Sequence, residues 1–515
     1  MAKITDFLNK TTTGMVLDDK DTVEKYAVDG GPLKIVPQVV AFPENTKDIR
    51  KIVRFVSQLN LKGYQISLTP RGSGLSANGS ALSKDIVVSM AKMNQIVEFD
   101  EKTRLVHVQA GATIGDINAV LAPSGLCIPI NAEPEETIGG LISSCKTDTY
   151  AMKYGGIMHY VEKVEVVLSN GELFETEKIS LRNYDKKLTA LRNSEKAPVL
   201  TTAIYEKLPV ILEKFDATIK ALKSEPSLAG YPGISYVQAD KTLDTLPLFL
   251  AAEGTLGLIT EVILRCEPIE DKPEVVVSHF PNLKSALDFL DEVIKLSPLE
   301  ANIYDSRIFK SELAEDTTFG PLFQQQPAND MNSDSPAPSF LTLISFNDAG
   351  RAVKSVQEAL TFLPQDIPTV EISAKENIKV EKFKNSLKLY LLGSGKKKRP
   401  GFFSHFFLPK NALEEFVSET NLELFGSYYN NDYDVRPRLA LEKAADREIS
   451  TELLQEIHAS IKALGGNLTG GSPEGRLKQL FMTGATPESN LILFREIRKL
   501  FDPDRIFSPD LKKFQ

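Results

Sequence analysis

Cysteine is scarce in this chain of 515 residues: Cys127, Cys145 and Cys266 are the only three, widely separated and odd in number. They cannot build a disulfide framework or an iron–sulfur site within the chain, and they fit a reducing, intracellular setting. No uncharged apolar run approaches the roughly 18 residues that a membrane-crossing helix needs. The first residues, MAKITDFLNKTTTGMVLDDKDT, lack an apolar core flanked by positive charge, so no signal peptide is expected. A cytoplasmic protein is expected, with peripheral contact at the inner face of a membrane left open. Positive charge is not in excess: 60 Lys and Arg against 69 Asp and Glu leave a net charge of −9, which argues against nucleic acid as a main partner. There is no internal repeat. At 42% hydrophobic and 25% charged residues, the composition is that of an ordinary globular protein, long enough for several domains and ample core.

The most informative stretch is PRGSGLSANG, Pro70 to Gly79, which follows an apolar strand-like run. Glycine lets backbone N–H groups turn outward and keeps side chains out of a ligand's way. The stretch does not end in Gly-Lys-Ser/Thr, so it is not a P-loop. No amphipathic helix starts right after it, so it is not the dinucleotide fingerprint either. Alone it reads equally as a phosphate cradle or as a plain turn between strands.

Around it, strands and helices alternate. PQVVAF reads as a strand, and the helix after it carries Ile49, Ile52, Val53 and Val56 at helical spacing with Thr46 as its N-cap. With the strand DIVVSM beyond the loop, this makes a β-α-β unit with the loop at a strand's C-terminal end, where α/β proteins bind ligands. IVEFD with LVHVQAG, and VEKVEVVLSNGELFET around Asn170-Gly171, read as hairpins. The Lys-rich segment 176–245 reads as a mostly helical insertion. VVVSHF, a helix at Asn282–Leu296, ANIYDSRIF, FLTLISF and a helix at Gly350–Leu363 suggest a second α+β unit. Gln324–Ser339 reads as a loop or disordered stretch. SHFFLPK, a helix and a Tyr/Asn-rich strand-loop follow, and helices from about Glu442 close the chain.

At this point the residues resemble a family. VVAFPENTKDIRKIV, PRGSGLSANG, QAGATIGDI, TIGGLISS with KYGGIMHYVEKVEVVLSNGEL, EGTLGLITEVILR, VRPRL, GGNLTGGSPEGRLK and FDPDRIFSPD are similar, in the same order, to motifs of the FAD-binding oxidoreductases of the vanillyl-alcohol-oxidase/PCMH type. The resemblance is strongest to the branch holding the glycolate oxidase subunit and D-lactate or D-2-hydroxyglutarate dehydrogenases. It implies an α+β fold: a two-part FAD-binding domain (36–270, with 176–245 inserted) after an extension (1–35), a ferredoxin-like cap (271–440), and a helical closing segment (441–515) that returns to the FAD domain. Bound FAD is implied, held through Arg71, Gly72, Ser73, Gly74, Leu75, Ser76, Thr137, Ile138, Gly139, Gly140, Ser144, Gly155, Gly254 and Ile259. Leu75 stands where some relatives carry a flavin-linking His, so the FAD is expected to be noncovalent.

The departures bear on chemistry. Where the branch reads G-H-A-G-D-G-N-L-H-V-R-P, Gly426–Pro437 here puts Ser427 and Asp434 at the two histidine positions. Where it reads G-E-H-G-x-G-R, this chain has Gly471 and Ser472 at the Glu and His positions. The resemblance makes those positions metal ligands and proton acceptor, so no catalytic metal is expected. Near the flavin, Cys145-Lys146-Thr147-Asp148 replaces N-A-G-G. Cys145 is expected to be buried filler rather than a nucleophile. Asp148 is expected to need Lys146 or Arg71 to offset its charge beside the pyrophosphate. A base for the substrate hydroxyl is sought among His405, Tyr429, Tyr433 and Asp434, with Tyr428 and Asp432 in the same segment. Arg436 either grips a substrate carboxylate or makes a structural ion pair, and the tyrosines either serve the reaction or pack in the cap. The expected activity is hydride transfer from a small hydroxy acid or alcohol to FAD. Electrons then pass to a quinone, a carrier protein or oxygen. The alternative is a non-catalytic flavin-binding scaffold or assembly subunit.

Overall fold

The computed structural model describes residues 2–194, 198–223, 227–239, 241–324, 338–348, 350–391, 401–420, 422–429, 431–440, 451–482 and 486–514. Its first sheet has four strands in the order Met15–Leu17, Val39–Phe42, Ile86–Ser89, Leu68–Arg71. The last three are parallel, with Ile86–Ser89 in the middle. The helix Thr46–Leu61 crosses from Val39–Phe42 to Leu68–Arg71 and buries Ile49, Ile52, Val53 and Val56 against the sheet. Its cap is Asn45 rather than Thr46: the Asn45 side chain accepts from the Asp48 N–H at 3.1 Å, and Thr46 is the first helical residue. Parallel order leaves the loop that starts at Gly72 at the carboxyl edge of this sheet.

The second sheet is antiparallel, with five strands in the order Ile96–Asp100, Leu105–Gln109, Leu258–Arg265, Val161–Val167, Leu173–Glu175. Both expected hairpins are there. Segment 176–245 does not hang outside this unit. Ile204, Tyr205 and Leu208 of the helix Val199–Lys214 share one hydrophobic core with Val164 and Val262 of the sheet and with Leu493 and Phe501 of the helix Glu488–Phe501. The segment is mostly helical, as expected, and the inner side of its helices is apolar.

The third sheet is an eight-stranded antiparallel layer. Its central strands are Glu274–Phe280, Phe340–Phe346, Glu300–Asp305, Leu424–Tyr429 and Asp432–Ala440. The Tyr/Asn-rich stretch is therefore a hairpin, with Asn431 at φ +68° in its turn. Residues alternate across the pleat. Val276, Ile303, Ile344, Leu424, Tyr433 and Val435 face a helical layer that includes Leu283–Ile294 and Thr451–Ala463. On the opposite face Tyr304 and Phe425 stack at 4.6 Å in an apolar cluster. Beside that cluster, toward the short helix Ala151–Tyr154, the same face turns polar. Most of the Gln324–Ser339 stretch read as loop lies outside the described residues. The closing segment divides its packing: Leu468 and Leu477 join the core of the third sheet, while Ser508 N–H donates to the Leu68 carbonyl of the first at 2.9 Å.

Candidate functional site

The loop after Leu68–Arg71 is pinned at both ends by the segment 26–31. Arg71 turns back, donating to the carbonyls of Tyr26 at 3.2 Å and Val28 at 2.9 Å and lying 5.0 Å from the Tyr26 ring centroid. At the far end the Gly79 N–H donates to the buried Asp29 carboxylate at 2.8 Å. Between these anchors no backbone N–H from Ser73 to Ser76 donates to a protein acceptor among the described residues. A loop held open in this way turns its amides outward as an anion nest. Asp29-Gly30-Gly31 marks a turn in the sequence, but nothing in it says that the turn packs over this loop.

Thr137 faces this loop. Its Oγ1 is buried, with no hydrogen-bond partner among the described residues. A Cβ on Gly72 would come within 2.0 Å of that oxygen, and one on Gly140 within 3.1 Å. The third wall is Gly254 (φ +67°), where a Cβ would lie 2.3 Å from Pro70 Cγ. Ala251 and Glu253 beside it also hold positive φ, +58° and +52°, backbone strain of the kind that gathers at functional sites. Every cofactor residue expected from the sequence lines this one cavity except Ile138 and Gly155. The Ile138 side chain points into the hydrophobic core and its N–H donates to the Ala112 carbonyl at 2.9 Å. Gly155 (φ +84°) lines a neighbouring cavity of about 570 Å³, which meets the first at Lys146.

The loop 145–148 separates those cavities. Cys145 holds φ +44°, its thiol donates to the Ile142 carbonyl at 3.0 Å, and burial pushes its pKa to about 12. It is a filler, not a nucleophile. The charge pairing differs from the expectation. Lys146 pairs with Glu136 at 2.5 Å, not with Asp148. Asp148 accepts from the N–H groups of Asn131 and Tyr150, and its burial pushes its pKa up to about 6.

Across from this loop stands the polar face of the third sheet. Asp434 is fully buried. Its Oδ2 accepts from Arg436 Nε at 2.9 Å and Nη2 at 2.6 Å, and lies 3.1 Å from His405 Nδ1. Arg436 lies 4.4 Å from the Phe425 ring centroid and reaches the Thr147 carbonyl at 3.5 Å. Burial works against the Asp434 charge, but Arg436 and His405 outweigh it and hold its pKa at about 2. Burial lowers His405 to about 4, against the pull of Asp434. Next to an ionised Asp434 the proton of neutral His405 sits on Nδ1, and Nε2 keeps its lone pair. Tyr429 lines the larger cavity. Tyr433 does not: neighbouring strand residues face opposite ways, so the ring packs in the core beyond the sheet and its hydroxyl is buried without a partner.

The positions that the sequence resemblance implies as metal ligands hold other contacts. Ser427 donates to Asn302 at 2.8 Å, and Ser472 Oγ accepts from Lys478 Nζ at 2.8 Å. A Cβ on Gly471 would lie 2.2 Å from Asp434 Oδ1, so a longer side chain there and the Asp434 carboxylate exclude each other. Among the described residues no three His, Cys, Asp or Glu side chains gather as a metal would require. This donor set, filled with a guanidinium and an ammonium, does not fit a divalent cation. Lys478 is the residue that sequence reasoning missed. It is buried, also donates to the His405 carbonyl at 2.5 Å, and burial lowers its pKa to about 7. One lysine on an amphipathic helix carries no signal of this.

Residues 37–177 match the family described as "FAD binding domain", and residues 411–511 match "FAD linked oxidases, C-terminal domain". The chain belongs to the PCMH-type FAD oxidase family. Both matches indicate FAD as the cofactor of this chain. The outward amides of Ser73–Ser76, the orphaned Thr137 hydroxyl and the cradle at Gly72 fit such a group. D-2-hydroxyglutarate dehydrogenase of Haemophilus influenzae is 26% identical over 94% of this chain and 48% of its own length. Glycolate oxidase subunit GlcD of Bacillus subtilis is 20% identical over 94% of this chain and 91% of its own length. The chain spans about half the length of the D-2-hydroxyglutarate dehydrogenases it matches. Alkyldihydroxyacetonephosphate synthase shares the fold, with a TM-score of 0.66 at 13% identity over 99% of this chain and 86% of the other. Among the described residues no helix is long and apolar enough to cross a membrane.

Proposed function

We propose that this oxidase-family chain is an FAD-dependent oxidoreductase that oxidises the CH–OH group of a hydroxy acid or alcohol without a divalent metal. The names of its relatives, which act on D-2-hydroxyglutarate and glycolate, support the substrate class. The observation that carries the reading is the His405–Asp434–Arg436 cluster on the cap face opposite loop 145–148. Bound FAD would supply the hydride acceptor. The amides of Ser73–Ser76, with Gly72, Thr137 and Gly140, would hold its diphosphate. Ser144, Gly254 and Ile259 would lie toward its ring, and Leu75 offers no atom for a covalent link. Asp434 fixes the ring and tautomer of His405, and His405 Nε2 takes the substrate hydroxyl proton. His405 stays neutral at pH 7 and can act as acceptor. Arg436 offsets the charge of Asp434 and is not free to grip a carboxylate.

The domain plan proposed from the sequence goes with this reading, the cap from about 271 supplying the proton acceptor and the unit before it the flavin. A quinone, a carrier protein or oxygen would take the electrons, in a cytoplasmic protein with or without peripheral membrane contact. The test is anaerobic bleaching of the chain's bound FAD by D-2-hydroxyglutarate, D-lactate, glycolate and simple alcohols. One of these is expected to bleach it at a rate unchanged by EDTA. His405→Gln is expected to keep its FAD and slow bleaching by about 10²–10⁴-fold. A bound flavin that no hydroxy compound bleaches would leave the non-catalytic scaffold as the better reading.

A further inference from the structure

One buried carboxylate ties four distant segments together at the edge of the proposed cofactor cavity. Glu253 Oε1 accepts from Ser80 Oγ at 2.5 Å, from the Gly475 N–H at 3.0 Å and from Asn78 Nδ2 at 3.4 Å. Glu253 Oε2 lies 3.2 Å from the ammonium of Lys512, and both side chains are all but sealed from solvent, 1% and 0% exposed. Lys512 also donates to the Gly230 carbonyl at 2.6 Å. Both residues hold left-handed backbone, φ +52° at Glu253 and +47° at Lys512, so the chain bends at both points to make this pair. Glu253, Asn78 and Ser80 line the same cavity as Ser73–Ser76.

A carboxylate there poses an electrostatic problem. A diphosphate carries negative charge, and a buried uncompensated carboxylate beside it would repel it at low local dielectric. Lys512 is the cation placed against it. We propose that Lys512 is a positioning residue of the cofactor site. By neutralising Glu253 it lets the 72–80 loop accept a diphosphate, so docking of the 506–514 segment and FAD binding are linked. The proposal rests on the reading of Pro70–Gly79 as the diphosphate loop. Linkage is reciprocal: if the docked segment favours FAD, FAD favours the docked segment.

The test uses the purified full-length chain stripped of flavin. Lys512→Met is expected to weaken FAD binding at least about tenfold, because an unpaired buried charge remains. Lys512→Arg is expected to stay near the parent. The double variant Glu253→Gln with Lys512→Met, which leaves Glu474 as the one carboxylate that Lys512 had faced, is expected to recover a large part of the loss, since a glutamine oxygen still accepts from Ser80 and Gly475. ADP, which carries the diphosphate, is expected to slow amide hydrogen exchange across 506–514 in the unmutated chain, and riboflavin is not. A purely structural ion pair would not tell ADP from riboflavin. FAD affinity unchanged in Lys512→Met, or exchange across 506–514 indifferent to ADP, overturns the proposal while the loop assignment stands. If Lys512→Met does not fold, the exchange comparison on the unmutated chain decides alone. A chain that takes up neither FAD nor ADP overturns the loop assignment and the proposal with it.

Discussion

Gly72→Val is expected to yield a folded but colourless protein. The valine Cβ would sit 2.0 Å from Thr137 Oγ1 and 3.3 Å from Thr137 Cβ, well inside contact distance. Thr137 stands at the start of the helix Ile138–Ser144, whose Ile138, Leu141 and Ile142 are buried, so its backbone cannot simply retreat. The 72–76 loop must move away instead, and its outward amides then lose the position opposite Thr137. Losing the donors to a diphosphate is worth at least about 100-fold in affinity, or about 2.7 kcal/mol. The measurement is flavin absorbance relative to protein after purification, followed by titration of the stripped chain with FAD. Gly74→Trp adds a second route to the same result. Gly74 holds φ +72° and any Cβ there would meet the Arg71 guanidinium at 2.3 Å. The cap, whose core is separate, should keep its unfolding transition in both variants. Full FAD occupancy in Gly72→Val would remove the diphosphate from this loop.

The cofactor side of the molecule was readable in the sequence because glycine is an explicit signal. Gly74 and Gly254 mark positive φ, and Gly72 and Gly140 mark close approach. These demands are local, so a linear motif states them. The supports of the loop were not readable. Asp29 and Arg71 are ordinary surface residue types until the fold brings residues 26–31 over the loop. In segment 176–245, for a related reason, the packing was not readable: lysines on one side of a helix say nothing of a buried Tyr205 on the other.

The cap shows the opposite limit. Period-two alternation along Asp432–Ala440 already separates Asp434 and Arg436 from Tyr433 and Val435. A hairpin reading of that stretch would have removed Tyr433 from the candidates. The partner that gives Asp434 its role, His405, lies 29 residues earlier in the chain, and Lys478 lies further on. No spacing rule joins them. The motif comparison could say what had gone, two histidines and a glutamate. Only packing shows that an ion-paired cluster fills the space.

Arg436→Met should be the most destabilising single change on the cap face. It removes both strong donors to Asp434 Oδ2 and leaves a fully buried carboxylate with His405 alone. Among the described residues Oδ1 has no hydrogen-bond partner to share the load. Breaking a buried pair from one side costs about 3–5 kcal/mol, more than deleting the whole cluster. Urea unfolding of the variant is expected to show that loss, and adding Asp434→Leu to it should recover a large part. The same cluster sets a pH dependence. His405 has a folded pKa of about 4 against an ordinary 6.5. Between those values the unfolded chain takes up a proton that the folded chain refuses. The His405 contribution is therefore full above pH 6.5 and is lost as pH drops, by about 1.4 kcal/mol per unit. Asp434, held at about 2 against 3.8, adds its own loss only below pH 3.8. His405→Gln should make the upper window shallower, leaving the part that belongs to His458, which burial also lowers to about 4, and should leave the lower window as it is. An unchanged slope between pH 6.5 and 4 in that variant would mean that His405 is not the group held neutral against Asp434.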